Sequence, residues 1–221
     1  MPKQKIIAFA AQMRNGKDTA ADYLAKKLNS SITVHRNNMG YPVIPLLWER
    51  QSFANAVKNV FETSFDVDRE FVEEWKSKPT SPDDFEMPIR QALQFIGDGF
   101  RKIKSNIWID IALRSETPKI LSDARYINEL KTVYQKGGIN VLLWRPGFEN
   151  NDPCASEAEV MPIVNWASKT QKEGRIVHAL GDMPQGAQYI HYFLKNDGDV
   201  DDLLKKVDEY LLPAVRKRWA K

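Results

Sequence analysis

The sequence predicts an α/β fold with a mostly parallel central sheet, and three observations carry that expectation. Ile6-Ile7-Ala8-Phe9-Ala10 is a short apolar run. A polar turn holding Gly16 follows, then an alanine- and lysine-rich stretch from Asp18 to Leu28 with apolar residues at helical period: strand, loop, helix. In the second half, Lys119 to Asp123 and Ile139 to Trp144 read as strands, separated by a helical stretch from Asn128 to Gln135 and the helix stop Gly137-Gly138. Two strands joined through a helix make a βαβ unit, so these strands run parallel. Residues 200–211 close the chain as an amphipathic helix, with Val200, Leu203, Leu204, Val207 and Leu211 on one face.

The intervening segments are less regular. Residues 30–50 contain Gly40, Pro42 and Pro45 and read as an irregular excursion with room for a short hairpin. Ser52-Phe53 leads into a helix over Ala54 to Phe61. The stretch from Thr63 to Pro88 is acidic and dotted with Pro79, Pro82 and Pro88, as suits an insert over the core. A helix follows over 89–102, with Ile89, Leu93, Ile96 and Phe100 in line, and another over 107–114. Past Arg145-Pro146-Gly147 a polar stretch extends to about Pro162, and Ile176-Val177-His178 and Tyr189 to Leu194 are the last strand candidates. The expected organisation is a single domain over 1–221, with inserts at about 30–50 and 63–88 and a lid at about 145–162. No internal repeat is evident.

Bulk composition excludes some classes. Of 221 residues, 43% are hydrophobic and 28% charged, as in an ordinary globule able to bury a core. No apolar run approaches the ~20 residues of a membrane span, so no membrane association is expected. The apolar patch in MPKQKIIAFAAQ is short and fits a first buried strand better than a signal peptide. The single cysteine, Cys154, rules out an intrachain disulfide and suits a reducing, cytoplasmic location. A net charge of +3 suits phosphate-bearing small molecules but is too weak to argue for nucleic acid. The basic tail Arg216-Lys217-Arg218 reads as a solvated helix end, where cations complement the helix dipole. No stable nucleic-acid partner is expected, and a homodimer is left open.

The most informative stretch is AAQMRNGKDTAADYL, residues 10–24. Matched to the phosphate-loop pattern G-x-x-x-x-G-K-[ST], it keeps Gly16 and Lys17 but has Ala11 for the first glycine and Asp18 for the hydroxyl residue. Such a loop grips phosphate with successive backbone N–H groups and the positive end of the following helix, so most of its side chains are replaceable. Gly16 permits the turn and Lys17 supplies a cation. Ala11 costs little if its φ is negative. Asp18 and the adjoining Thr19 offer a carboxylate and a hydroxyl to a metal or its water; the alternative is a helix start with an acidic first turn. Asp123, ending its strand, stands where a Walker-B-type carboxylate would hold a metal-bound water, and Arg145 lies just past the next strand. Parallel sheets bind ligands beyond the carboxyl ends of their strands, where all three elements fall. Taken singly, Asp123 also suits a turn and Arg145 a surface ion pair.

With these residues in view, the chain resembles the deoxynucleoside monophosphate kinases of bacteriophages, a P-loop branch related to the nucleoside monophosphate kinases. The resemblance rests on Asn15-Gly16-Lys17-Asp18-Thr19, Phe53 to Lys58, Arg90 to Asp98 and Asn106 to Ile109. It continues through Ser122-Asp123-Ala124-Arg125-Tyr126-Ile127-Asn128-Glu129, Trp144-Arg145-Pro146-Gly147, Ala155-Ser156-Glu157 and Leu194 to Gly198. The segments span nearly the whole chain, and Asp-x-Arg-x-x-Asn-Glu followed by Arg-Pro is the most specific. Gly-Lys-Asp-Thr is the form that family's loop takes, while Ala11 departs from it.

The resemblance implies a P-loop NTPase three-layer fold, with an acceptor-binding insert and a lid segment. It implies transfer of the γ-phosphoryl group of ATP, with Mg²⁺, to a deoxynucleoside monophosphate. It assigns Asn15 to Thr19 to ATP, Lys17 to the β- and γ-phosphates, Asp18, Thr19 and Asp123 to the metal or its waters, and Arg145 and Arg125 to phosphoryl groups. Arg90 and Gln94, four apart on one helix face, resemble the pair with which monophosphate kinases hold the acceptor's phosphate and base edge; Lys58 and Arg101 are further candidates. Glu129 orients Arg125 or is an exposed helix charge. Phe65 or Trp75 stacks on a base or simply packs. Rival readings are a dephospho-coenzyme A kinase or modified-nucleotide kinase of the same fold and, from another class, a nucleic-acid-dependent ATPase or nucleotide switch. The chain lacks the Asn-Lys-x-Asp guanine reader and an Asp-Glu pair at Asp123.

Overall fold

The computed structural model describes residues 4–32, 35–36, 38–39, 41–43, 45–147, 158–175 and 182–219. They divide into two compact units, 1–51 with 116–221 and 52–115.

The first unit is built on a six-stranded sheet. Its strands are β1 (Ile6–Ala11), β4 (Glu49–Gln51), β5 (Lys119–Ala124), β6 (Ile139–Trp144), β7 (Gly174–Arg175) and β8 (Tyr192–Lys195), in the order β4-β5-β1-β6-β8-β7. All pairings are parallel except that of β7 with β8. The expected α/β fold with a mostly parallel sheet is therefore found. β5 and β6 run parallel as a βαβ unit requires, but β1 lies between them and pairs with both. Every residue of β1 and β6 is buried, which is why both read as unbroken apolar runs rather than alternating ones. The single polar residue inside them, Asn140, donates through Nδ2 to the Leu130 and Tyr189 carbonyls at 2.7 and 2.9 Å.

Helices α1 (Lys17–Ser30), α6 (Ile127–Gln135) and α7 (Met161–Lys169) belong to this unit. α6 stops at Gly137, φ 78°, and a Cβ on Gly138 would meet the Ile6 carbonyl oxygen at 2.8 Å, so the glycine pair serves both the turn and a close approach. The closing helix is longer than its sequence pattern suggests. α8 (Val200–Lys206) passes through a π-helical turn (Val207–Leu211) into α9 (Leu212–Trp219). The turn shifts the buried stripe to Leu203, Val207, Leu211, Leu212 and Val215, and Val200 is exposed. The tail is a helix end as expected, and Arg218 Nε donates to the Gly137 carbonyl at 2.9 Å.

The excursion after α1 contains a two-stranded antiparallel hairpin, β2 (His35–Arg36) with β3 (Pro42–Val43), then β4 on the sheet edge. The last predicted strand begins later than expected. Ala187–Tyr189 form a 3-10 turn, and pairing with β6 starts only at Tyr192. The predicted strand at 176–178 lies outside the described residues. So do 148–157 of the expected lid, Cys154 included; the lid's end, Met161 and Pro162, opens α7. No helix among the described residues is long and apolar enough to cross a membrane.

The second unit consists of α2 (Phe53–Phe65), α3 (Arg69–Trp75), α4 (Ile89–Ile103) and α5 (Ile107–Ala112). α2 and α3 both start with side-chain caps, Ser52 Oγ accepting from the Ala54 amide and Asp68 from that of Phe71. The core gathers Phe61, Val72, Ile89 and Ala92, with Phe71, Trp75, Phe85, Leu93 and Ile96 packed against it. The stripe on α4 is rotated from the expected one. Gly97 is buried beneath Trp108, whose Nε1 donates to its carbonyl at 3.0 Å, and Phe100 is partly exposed against the same indole.

Candidate functional site

The β1–α1 connection departs from ordinary helix starts. Ala11 ends β1, fully buried and outside the positive-φ set, so the missing first glycine brings no strain. The left-handed residues are instead Arg14, φ 65°, and Gly16, φ 88°. Lys17 is the first helical residue, and the first helical bond runs from the Ala20 amide to the Gly16 carbonyl at 3.0 Å. No side chain caps the helix, and among the described residues the amides of Lys17, Asp18 and Thr19 have no acceptor. Helix starts present such unpaired donors with a positive dipole end, the combination that binds anions.

The surroundings of the loop are polar and specific. Asn15 is fully buried, and neither atom of its side-chain amide has a partner. Its carbonyl accepts from Asn196 Nδ2 at 3.0 Å. Gln12, also buried, donates to the Met161 sulfur at 2.6 Å. Lys17 is buried, and its ammonium lies 3.4 Å from Asp18 Oδ2. Asp18 and Thr19 are exposed. Arg50 on β4 bridges two carboxylates of α1, reaching Asp18 Oδ1 through Nη2 and Asp22 Oδ2 through Nη1, the latter at 3.1 Å. Burial alone would raise the Asp18 carboxyl, but Lys17 and Arg50 outweigh it and hold the group below its ordinary value. Asp18 is thus a carboxylate at neutral pH, balanced by two cations.

Three further residues expected at the site follow from the sheet. β1 lies between β5 and β6 in parallel, so Asp123 near the end of β5, Arg125 just past it and Arg145 just past β6 share the edge at which β1 enters its loop. The β1–β5 register runs Ala8 with Leu121 and then Ala10 with Ala124, one residue more on β5, a bulge at Ser122-Asp123. Asp123 is left half-buried between two buried neighbours. Bulges re-aim side chains in this way. Arg145 is exposed. Glu129 is buried, not an exposed helix charge: its carboxylate accepts from the backbone amides of Arg125 at 2.8 Å and Tyr126 at 3.2 Å, capping α6. It orients Arg125 through the main chain.

The remaining candidates sit in the second unit. Arg90 and Gln94 are exposed on α4, one turn apart, and neither side chain has a hydrogen-bond or ion-pair partner among the described residues. Lys58 pairs with Glu73 at 2.5 Å, and Arg101 with Asp98 at 3.1 Å. Phe65 and Trp75 pack. Phe65 lies 4.6 Å from Phe61 and 5.3 Å from Phe85, while Trp75 lies between Phe71 and the Lys78 ammonium.

Sequence pattern gave no sign of Arg14 in a left-handed conformation, of Arg50, or of Asn196 against the loop. Among the described residues no three His, Cys, Asp or Glu side chains cluster as a metal cage. Magnesium does not require one, being held by one or two carboxylates together with substrate phosphates and water. The ionised Asp18, adjoined by Thr19, fits that donor chemistry.

No family model matches this sequence, and no curated protein matches it. Among solved structures, the chain is similar to a dephospho-CoA kinase from Campylobacter jejuni at 12% identity and a TM-score of 0.43, covering 96% of this chain and 98% of that one. It is also similar to a shikimate kinase from Acinetobacter baumannii in complex with shikimate, at 15% identity, TM-score 0.44, covering 98% and 96%. A gluconokinase from Sinorhizobium meliloti 1021 matches at 11% identity, TM-score 0.36, covering 98% and 94%.

Proposed function

We propose that this protein is an ATP-dependent small-molecule kinase whose acceptor is a deoxynucleoside monophosphate. One observation supports it above the others: the uncapped start of α1, where unpaired amides, the left-handed Gly16 and the buried Lys17 ammonium converge after a central parallel strand. That arrangement suits a polyphosphate. The acceptor class rests on the resemblance drawn from Asp123 to Glu129, Arg145-Pro146 and the Arg90–Gln94 pair.

In this reading the amides of residues 16–19 and Lys17 bind the β- and γ-phosphates. An oxygen of the acceptor's phosphate attacks the γ-phosphorus, the bond to the β–γ bridging oxygen breaks, and ADP leaves with the electron pair. Little covalent chemistry falls to the protein, so catalysis is chiefly positioning and charge neutralisation. Arg145 and Arg125 offset charge on the transferring group. Arg90 and Gln94 hold the acceptor's phosphate and base edge. Asp18, Thr19 and Asp123 would hold Mg²⁺ or its waters, and the ion would supply further neutralisation of phosphate charge. The segment from Arg145 to Pro162 acts as a lid, since an active site open to water would hydrolyse ATP.

The test is calorimetry with ATP and magnesium, followed by a coupled assay of ADP formation with the four common deoxynucleoside monophosphates and their ribose counterparts. Magnesium-dependent ATP binding and monophosphate-dependent ADP formation are expected. No magnesium-dependent affinity for ATP removes the reading. ADP formation that DNA stimulates and no monophosphate does would make the protein a nucleic-acid-dependent ATPase. Activity with dephospho-coenzyme A alone would change the acceptor.

A further inference from the structure

Asn196 makes contacts that a turn residue after a strand does not need. Its backbone amide donates to the Trp144 carbonyl at 2.8 Å, continuing the β6–β8 ladder up to the residue before Arg145. Its side chain, buried, turns to the other neighbour and donates to the Asn15 carbonyl at 3.0 Å. A Cβ on Gly16 would lie 2.9 Å from Asn196 Nδ2 and 2.8 Å from Leu203 Cδ2, so the left-handed turn is packed directly beneath this amide. The segment bearing Asn196 is itself pinned. Lys206 Nζ donates to the Lys195 carbonyl at 2.7 Å and to Asp197 at 2.8 Å. Lys206 first and then Lys195 hold the Asp197 carboxyl down at about 2, so this clasp stays charged throughout the neutral range.

The loop needs such a hold. It contains a non-glycine residue at positive φ, Arg14, and a conformation of that kind persists only when its surroundings over-determine it. We propose that Asn196 is a positioning residue that fixes the Asn15–Gly16 turn and sets it in register with the strand end leading to Arg145. The inference rests on the reading of residues 12–19 as a triphosphate loop, and it adds a residue that reading does not use. Asn196 touches no phosphate; it acts through the Asn15 carbonyl.

Two variants test it. Asn196→Ala removes the donor, and Asn196→Asp keeps the shape while setting a carboxylate against the Asn15 carbonyl. In both, the dissociation constant for ATP with magnesium should rise by about ten- to a hundredfold, the size expected when a buried hydrogen bond that holds the loop is lost. The KM for the acceptor should stay unchanged. Asp199→Ala is the control. It removes the cap that Asp199 gives α8 through the Asp202 amide, loosening the same turn without touching the loop, and should lower the melting temperature while leaving ATP affinity alone. Asn196→Ser, which retains a hydroxyl donor, replaces any variant that near-ultraviolet circular dichroism shows to be unfolded. Unaltered ATP affinity in the folded Asn196 variants overturns the proposal, as does an equal loss in Asp199→Ala. Absence of ATP binding by the wild-type protein instead refutes the phosphate-loop reading itself.

Discussion

The two units hold their polar residues in opposite ways. In the first, several groups at the strand edge that bears the β1–α1 loop are fixed by other elements: the Asn15 carbonyl by Asn196, the Gln12 amide by Met161, and the Arg125 amide by the buried Glu129. In the second, Arg90 and Gln94 stand exposed on one helix with no partners among the described residues, and Lys58 and Arg101 are already ion-paired. Groups held by the fold suit a ligand whose charged oxygens must be met at set positions. Free side chains on a stable helix suit a partner that supplies the missing contacts itself. The difference also sets what substitution costs, because a buried polar network loses more from one deletion than an exposed pair does.

The largest effect is expected at Lys17. Lys17→Ala should lower turnover by at least about a hundredfold, the size of a lost charge contact in the transition state, with circular dichroism unchanged. Arg145→Ala comes next, with kcat reduced by at least about tenfold and ATP affinity little altered, read by comparing steady-state turnover with calorimetry. Near-wild-type turnover in either variant would detach that residue from the chemistry. Arg90→Ala then separates the units: acceptor KM should rise about tenfold while the KM for ATP holds. A change in the ATP term alone would end the division of labour. Lys58→Ala, whose ammonium already serves Glu73, should move acceptor KM by less than about threefold.

How much of this was legible follows from the same contrast. β1 and β6 were readable because a strand buried on both faces must be apolar throughout, and Gly16-Lys17 because the turn and the cation both demand particular residues. β4 was not, since Glu49-Arg50-Gln51 is polar and becomes a strand only by pairing with β5, seventy residues on by the numbering of Glu49 and Lys119. Arg50 was missed for that reason. The contact of Asn196 with Asn15 joins residues 181 apart, beyond the reach of local pattern. The bulge at Ser122-Asp123 is a property of two strands together. The rotated face of α4 and the exposed Val200 show periodicity naming an apolar stripe while packing decides which edge of it is covered.

The smallest expected effect asks whether the rigidity of the first unit comes from neutral polar groups as well as from charge. His191 Nδ1 accepts the Asn140 amide at 3.0 Å, and its ring lies 5.3 Å from that of Tyr134. Burial, then the nearby Arg218 and Arg175, lower its pKa to about 4. A folded-state pKa below the ordinary value of about 6.5 means that the unfolded chain takes up a proton first. The contribution is therefore complete above about pH 6.5 and is lost as pH falls from there toward 4. Between pH 6.5 and 5 most carboxylates remain ionised, so this histidine dominates the difference between wild type and His191→Gln, whose side chain does not titrate. The wild-type melting temperature should fall more steeply over that interval, by about 2–4 °C, as roughly 1 kcal/mol gives in a chain of this size. Parallel slopes would mean that the imidazole is solvated and that its neutral form contributes nothing to the order around β6.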